Sequence, residues 1–310
     1  MVLNAVGIVL TIFLMIGAGM LLIRLGWLTD EHQQVVSRLV VQVGLPAMIV
    51  HNIFTQFTRE DLLSSAVGIL IPVLSIVAAA LVGMLAARAF KIPKARRGVF
   101  VCMTAFSNSV FIGVPVSLAL FGEKAMPYAL MYYIANTSLF WSWGYAMMRG
   151  DSGRKASFDL KKLLPLPLTT FLAALALVLL GLKLPVFILD AARYIGGLVT
   201  PLSMIFTGMV LMRMLQGGKV HWQKGYALVL VGRFLVAPAL LLVTARLFPT
   251  APDFMRNVLL IQSAMPVMSQ TPIVAKASGG DEEYAAGGVA LTALGSLIAI
   301  PAYMALVPYL

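Results

Sequence analysis

Charge is what this 310-residue chain is shortest of. Only 11% of its residues are Asp, Glu, Lys or Arg, 60% are hydrophobic, and the mean hydropathy is +0.94. A soluble globular domain carries about 25% charge, so that class is excluded. Acids are scarcer than bases, 12 against 23. All of them, from Asp30 and Glu31 through Asp190 to Asp281, Glu282 and Glu283, fall between apolar runs or at their ends. Proton antiporters, cation carriers and cation channels use a carboxylate at membrane depth, and none is available here. Cysteine is nearly absent too: Cys102 stands alone inside an apolar run, which rules out an internal disulfide framework or a Cys-based metal site. There is no phosphate-binding glycine loop, no His/Glu metal spacing and no nucleophile elbow, so neither catalysis, nor a metal, nor a cofactor is expected.

What is there is a nearly unbroken series of apolar windows. Each is long enough to cross a hydrocarbon core of ~30 Å at ~1.5 Å per residue, whereas a membrane barrel would show short alternating segments. The windows predict an all-α membrane protein with ten transmembrane helices, near 4–25, 34–56, 62–89, 97–120, 126–148, 165–182, 186–212, 223–247, 255–278 and 284–308. The first lacks a basic leader and is too long for a signal-peptide core, so it reads as a spanning helix. A formal charge of +11 would suggest nucleic acid in a soluble protein. Here the basic residues gather in short loops, sixteen of them in one set of alternate loops and six in the other. The positive-inside rule then puts those loops in the cytoplasm and both termini outside.

The longest hydrophilic loop, near 150–164, separates a five-helix half (1–149) from a second (165–310). An odd number of helices per half makes the halves insert in opposite orientations, the geometry of two inverted repeats. Leu45-Pro46 in helix 2 corresponds to Thr200-Pro201 in helix 7, and Arg97–Pro115 aligns with Arg256–Pro272 across a two-residue gap. Both halves thus carry a Pro-interrupted fourth helix. Such breaks are tolerated only where the freed backbone groups line a protected cavity. Paired interruptions point to a midplane transport site.

Helix 4 supplies Ser107, Asn108 and Ser109 before Gly113 and Pro115, and helix 9 supplies Gln262, Ser269 and Gln270 around Pro266 and Pro272. If helices 4 and 9 cross, their half-helix N-termini offer backbone N–H groups to an anion. Ser, Thr, Asn and Gln also simply stitch membrane helices together. Arg233, about two turns into helix 8, has two open roles, attracting an anion into a cavity or capping carbonyls of a broken helix. Lys276 is either a substrate ligand or a lysine snorkelling to the interface. His51 is a packing residue or a proton relay. Asn136, among Tyr132, Tyr133, Phe140 and Trp141, belongs to an aromatic wall with a polar patch or to an interfacial belt.

The run from Asn108 to Pro115 followed by Gly122 resembles the fourth-helix motif of the auxin efflux carrier family, which includes PIN proteins and bacterial permeases. Leu45-Pro46 with His51, Arg233-Phe234-Leu235 with Pro238-Ala239, and Gln262–Pro266, Pro272 and Ala275-Lys276 match in register. The resemblance implies a ten-helix inverted-repeat fold related to bile-acid sodium symporters. It also implies crossed helices 4 and 9, a scaffold of helices 1, 2, 6 and 7, and a homodimer. Asn108 with the Pro115/Pro272 pair would mark the crossover, and Lys276 would lie beside the cytoplasmic cavity. Two features depart from plant members: the central loop is short, and Val267 replaces a Gln. The expectation is therefore a secondary transporter of small organic anions, of the mono- or dicarboxylate class, working by elevator-type alternating access in the lipid bilayer. The alternatives are a sodium-coupled symporter of bile-acid type and a non-transporting membrane receptor or scaffold.

Overall fold

The computed structural model describes residues 2–56, 66–151, 166–216 and 222–307. The central loop over 152–162 and the helix starts expected at 62 and 165 lie outside these residues. The described residues form helices joined by turns and short extended segments, with no strand beyond one isolated bridge. Among the described residues, five helices are long and apolar enough to cross a membrane: Glu31–Thr55, Leu70–Ala89, Val186–Arg213, Tyr226–Arg246 and Glu282–Leu306. Shorter apolar helices run over Leu10–Arg24, Ser109–Phe121 and Thr169–Leu179.

Numbered along the chain, the α-helices are α1 (Val2–Arg24), α2 (Asp30–Arg38), α3 (Leu45–Gln56), α4 (Leu70–Ala89), α5 (Lys94–Ala105), α6 (Val114–Phe121), α7 (Met126–Leu139) and α8 (Tyr145–Asp151). They continue as α9 (Leu166–Leu179), α10 (Val186–Gly197), α11 (Val199–Gln216), α12 (Tyr226–Val231), α13 (Ala237–Arg246), α14 (Asp253–Ser263), α15 (Thr271–Ser278) and α16 (Glu282–Leu306).

Proline places three of the π turns, while another, at Phe140–Gly144, precedes no proline. Widened π-helical turns at Leu39–Gly44, Ser109–Gly113 and Gly232–Val236 each end two residues before a proline, namely Pro46, Pro115 and Pro238. A proline inside a helix lacks the N–H and drives its ring against the carbonyl four residues back. One extra residue in the preceding turn moves that carbonyl aside, so the helix continues. This corrects the sequence expectation at Gly113 and Pro115: the chain there is helical. The true interruptions lie at Phe106–Asn108 and Ala264–Gln270. Pro266 sits inside the second interruption, and Pro272 starts α15, where its missing N–H costs nothing. Both half-helices that follow an interruption, α6 and α15, end on a positive-φ glycine, Gly122 and Gly279.

The chain divides into two compact units, each discontinuous in sequence. The first comprises Met1–Val67, Val110–Leu130 and Leu164–Arg213. In it α3 packs against α9 and α10, and α1 meets α11. That last contact is backbone to backbone: a Cβ on Gly19 would collide with the Ile205 carbonyl, and one on Gly208 with the Ile16 carbonyl. Small residues permit such closeness, which in lipid substitutes dispersion for the missing hydrophobic drive. The second unit comprises Gly68–Ser109, Met131–Leu163 and Met214–Leu310. Its α4 packs on α5 and α13, and α16 on α5, α12 and α15.

The α1–α11 contact makes a direct test. Gly208→Leu should lower the thermal unfolding midpoint of the detergent-solubilised protein by several degrees, since overpacking costs about 1–3 kcal/mol. Gly17→Ala, with open space around its Cβ, should leave the midpoint unchanged.

Candidate functional site

The two interruptions meet inside the second unit. Ser107 and Val267 form an isolated antiparallel bridge. Asn108 N–H donates to the Pro266 carbonyl at 2.8 Å, and Met268 N–H donates to the Phe106 carbonyl at 3.4 Å. In this pattern the bridged residues do not bond each other, so the N–H groups of Ser107 and Val267 point away and need other partners. Side chains from the following helices supply them. Asn136 of α7 accepts from Ser107 N–H at 3.0 Å, returns a donor to the Ser107 carbonyl at 3.0 Å and reaches Ser109 Oγ at 3.4 Å. Thr292 Oγ1 of α16 accepts from Val267 N–H at 3.1 Å. Its own proton goes back to carbonyls of its helix at Gly288 and Val289. Asn136 and Thr292 are both fully buried.

Arg233 lies in the π turn between α12 and α13 and is fully buried. No Asp or Glu is buried among the described residues, so no buried carboxylate balances it. Its guanidinium donates instead to three backbone carbonyls: Met265 through Nε at 3.2 Å, Thr104 through Nη1 at 3.0 Å and Ser263 through Nη2. Thr104 lies in the last turn of α5 and Ser263 ends α14, so the one cation caps the C-termini of both half-helices that lead into the crossing. Each such terminus carries roughly −0.5 of an elementary charge, and two of them balance the +1 of Arg233. Of its two possible roles, Arg233 takes the capping one. The glycine that opens its turn, Gly232, lets the backbone settle against Thr104.

The polar residues expected at the site separate into groups. Asn108 and Ser109 are buried, and Asn108 Nδ2 donates to Ser269 Oγ at 2.7 Å, joining the two interruptions. Ser269 and Gln270 are half-buried, at the start of α15. Gln262 is buried in the last turn of α14. Asn136 commits its amide to the Ser107 backbone, which makes it a splint for the interruption. Lys276 is exposed and pairs with Glu282 at 3.1 Å rather than with a group of the crossing. His51 belongs to the first unit, where its Nδ1 lies 3.1 Å from the Leu189 carbonyl. There it lines a cavity of about 300 Å³ with Asn52, Glu123 and Arg193. Among the described residues, no cluster of His, Cys, Asp or Glu could hold a metal. Thr292 escaped the sequence reading. Its one signal is its place in helix 10, matching that of Asn136 in helix 5.

Two broken helices crossing in extended conformation inside an apolar helical protein define a membrane carrier. Residues 5–160 and 155–304 match the family described as membrane transport protein, and the chain belongs to that family, the auxin efflux carrier family of its motifs. It is 26% identical over 303 residues to an uncharacterized transporter of Methanocaldococcus jannaschii, covering 94% of this chain and 96% of that protein. It is 29% identical over 207 residues to an uncharacterized transporter of Methanothermobacter thermautotrophicus, covering 66% of this chain and 67% of the relative.

The capping arrangement predicts an asymmetry between two arginines. Arg233→Lys should lower the thermal midpoint strongly, because a single ammonium cannot reach three divergent carbonyls and each orphan costs about 1–3 kcal/mol. Arg193→Lys, at an exposed pair with Asp190, should shift it little. Equal shifts would show that the buried caps carry no special weight. At the splint, Asn136→Asp should destabilise as Asn136→Ala does, since a carboxylate keeps the acceptor for Ser107 N–H but faces the Ser107 carbonyl without a donor.

Proposed function

We propose that this transporter carries a small organic anion, of the mono- or dicarboxylate class, bound at the crossing in the second unit. The observation that carries the reading is the unequal treatment of the four half-helix ends. The two C-terminal ends are offset by Arg233. The two N-terminal ends, beginning at Ser109 and Thr271, have no acid in their first turns, and no acid is buried among the described residues. What is left at the crossing is a positive potential with hydroxyl and amide groups around it, from Asn108, Ser109, Ser269 and Gln270. That is an environment for a carboxylate. Transport is by elevator-type alternating access, the second unit carrying the substrate.

Ten spans in two inverted halves are part of the same proposal. The matched roles of Asn136 and Thr292, of Gly122 and Gly279, and of Pro115 and Pro272 support it. The bias of Lys and Arg to alternate loops supports basic loops in the cytoplasm and both termini outside the plasma membrane.

Reconstituted protein tests the reading. A screen of acetate, malonate and malate should find a carboxylate that raises the thermal midpoint, as any ligand selective for the folded state must. Asn108→Ala and Ser269→Ala should each cut flux of that anion into proteoliposomes by roughly tenfold, the value of one hydrogen bond to a charged group. Lys276→Ala should stay within about twofold, as expected for an exposed pair. Unchanged flux in both Asn108→Ala and Ser269→Ala would place the substrate elsewhere.

A further inference from the structure

The link between α4 and α5, from Arg88 to Arg97, contains Arg88, Lys91, Lys94, Arg96 and Arg97 and no acid. Lys94, Arg96 and Arg97 occupy the first turn of α5, where the helix N-terminus is already positive and cations are disfavoured. A sequence that breaks a local rule three times in one turn needs a compensating partner. Arg96 has one: its Nε donates to Asp281 at 2.7 Å, and its guanidinium lies 4.9 Å from the centre of the Tyr284 ring.

Among the described residues, Arg88 and Arg97 have no carboxylate partner. Arg97 Nε donates to the Ile92 carbonyl at 3.0 Å. Both stand on a cleft of about 230 Å³ whose remaining walls are Met84, Ala87, Gly98, Val101 and Met147. The floor is apolar and tight: a Cβ on Gly98 would strike the Met147 backbone, so α5 and α8 touch there main chain to main chain. The cleft lies at the end of Leu70–Ala89, a helix long and apolar enough to cross a membrane, and the end of such a helix falls near the lipid headgroups.

We propose that this cleft binds an anionic glycerophospholipid. The guanidiniums of Arg88 and Arg97 hold the phosphate, and the apolar walls take the first carbons of an acyl chain. Guanidinium forks match phosphate oxygens in pairs, and basic pockets between membrane helices select anionic headgroups. A soluble anion would satisfy the two arginines but leave the methionine-lined floor empty. Assigning the lipid to the cytoplasmic leaflet rests on the orientation proposed above; the site itself does not. The occupied cleft would brace the first turn of α5, the half-helix whose far end Arg233 caps.

Native mass spectrometry of the full chain, after reconstitution with equal phosphatidylglycerol and phosphatidylcholine, tests this without substrate or flux. Its result is therefore independent of the proposed transport site. The wild type should retain phosphatidylglycerol over phosphatidylcholine by roughly tenfold or more, given two guanidiniums at the headgroup. R88Q/R97Q should lose that preference, whereas R24Q/R38Q, which removes the same charge elsewhere, should keep it. If the double variant fails to fold, R88E, at an exposed helix end, should lose the preference with an unchanged thermal midpoint. Equal retention of the two lipids, undiminished preference in R88Q/R97Q or R88E, or displacement of phosphatidylglycerol by millimolar inorganic phosphate would each overturn the proposal.

Discussion

The arrangement depends on one buried guanidinium. A crossing of two interrupted helices brings two helix C-termini together, each with carbonyls that have no intrahelical donor. In an apolar interior those groups repel one another and cannot turn to water. Arg233 satisfies three of them at once and matches their summed charge. The side chain is itself affordable only because of them, since among the described residues no buried carboxylate is present to pair it. Cation and interruptions are therefore mutually dependent, and neither would be stable alone. The π turn that carries Arg233 is in turn imposed by Pro238, so a proline five residues away sets where the guanidinium stands.

The extended segments solve the remaining backbone problem. A bridge one residue wide satisfies the outer groups through Asn108 with Pro266 and Met268 with Phe106, and leaves the inner N–H groups of Ser107 and Val267. A side-chain oxygen from the next helix fills each place, an amide in one case and a hydroxyl in the other. The amide does more than the hydroxyl, because it can accept and donate at the same residue. The interruption at Ser107 contains neither glycine nor proline and is the one that requires such a splint.

That explains what could and could not be read from the sequence. The helical segments and the two interrupted regions were visible because hydropathy and proline are local signals. Gly113 and Pro115 misplaced the first interruption: proline marks where a helix must adjust, and here a π turn makes the adjustment without breaking it. The actual break at Phe106–Asn108 is fixed by Asn136, 29 residues after Ser107, and by an extended segment around Val267 in the other half of the chain. No local pattern encodes that. Arg233 was recognisable as costly, but its two roles could be separated only by seeing which carbonyls surround it. Lys276, just past Pro272, left a ligand role and a snorkelling role both open; its exposure and its pairing with Glu282 follow from the helical register of α15 and the start of α16. The compact units also interleave the two sequence halves, which spacing along the chain cannot reveal.

The use of Arg233 as a cap has a consequence for the proposed site. A free guanidinium facing a carboxylate in an apolar pocket would form a paired, bidentate contact that holds its ligand. A carrier must release what it binds, and its site must be favourable enough to enter yet weak enough to leave. By consuming the full charge on carbonyls, the fold leaves the crossing with fractional charges only, from helix ends, two amides and two hydroxyls. Attraction of that kind is spread over several weak donors and selects for charge sign more than for shape. The absence of buried acids among the described residues belongs to the same logic: with the positive potential this diffuse, a single carboxylate at membrane depth would cancel it.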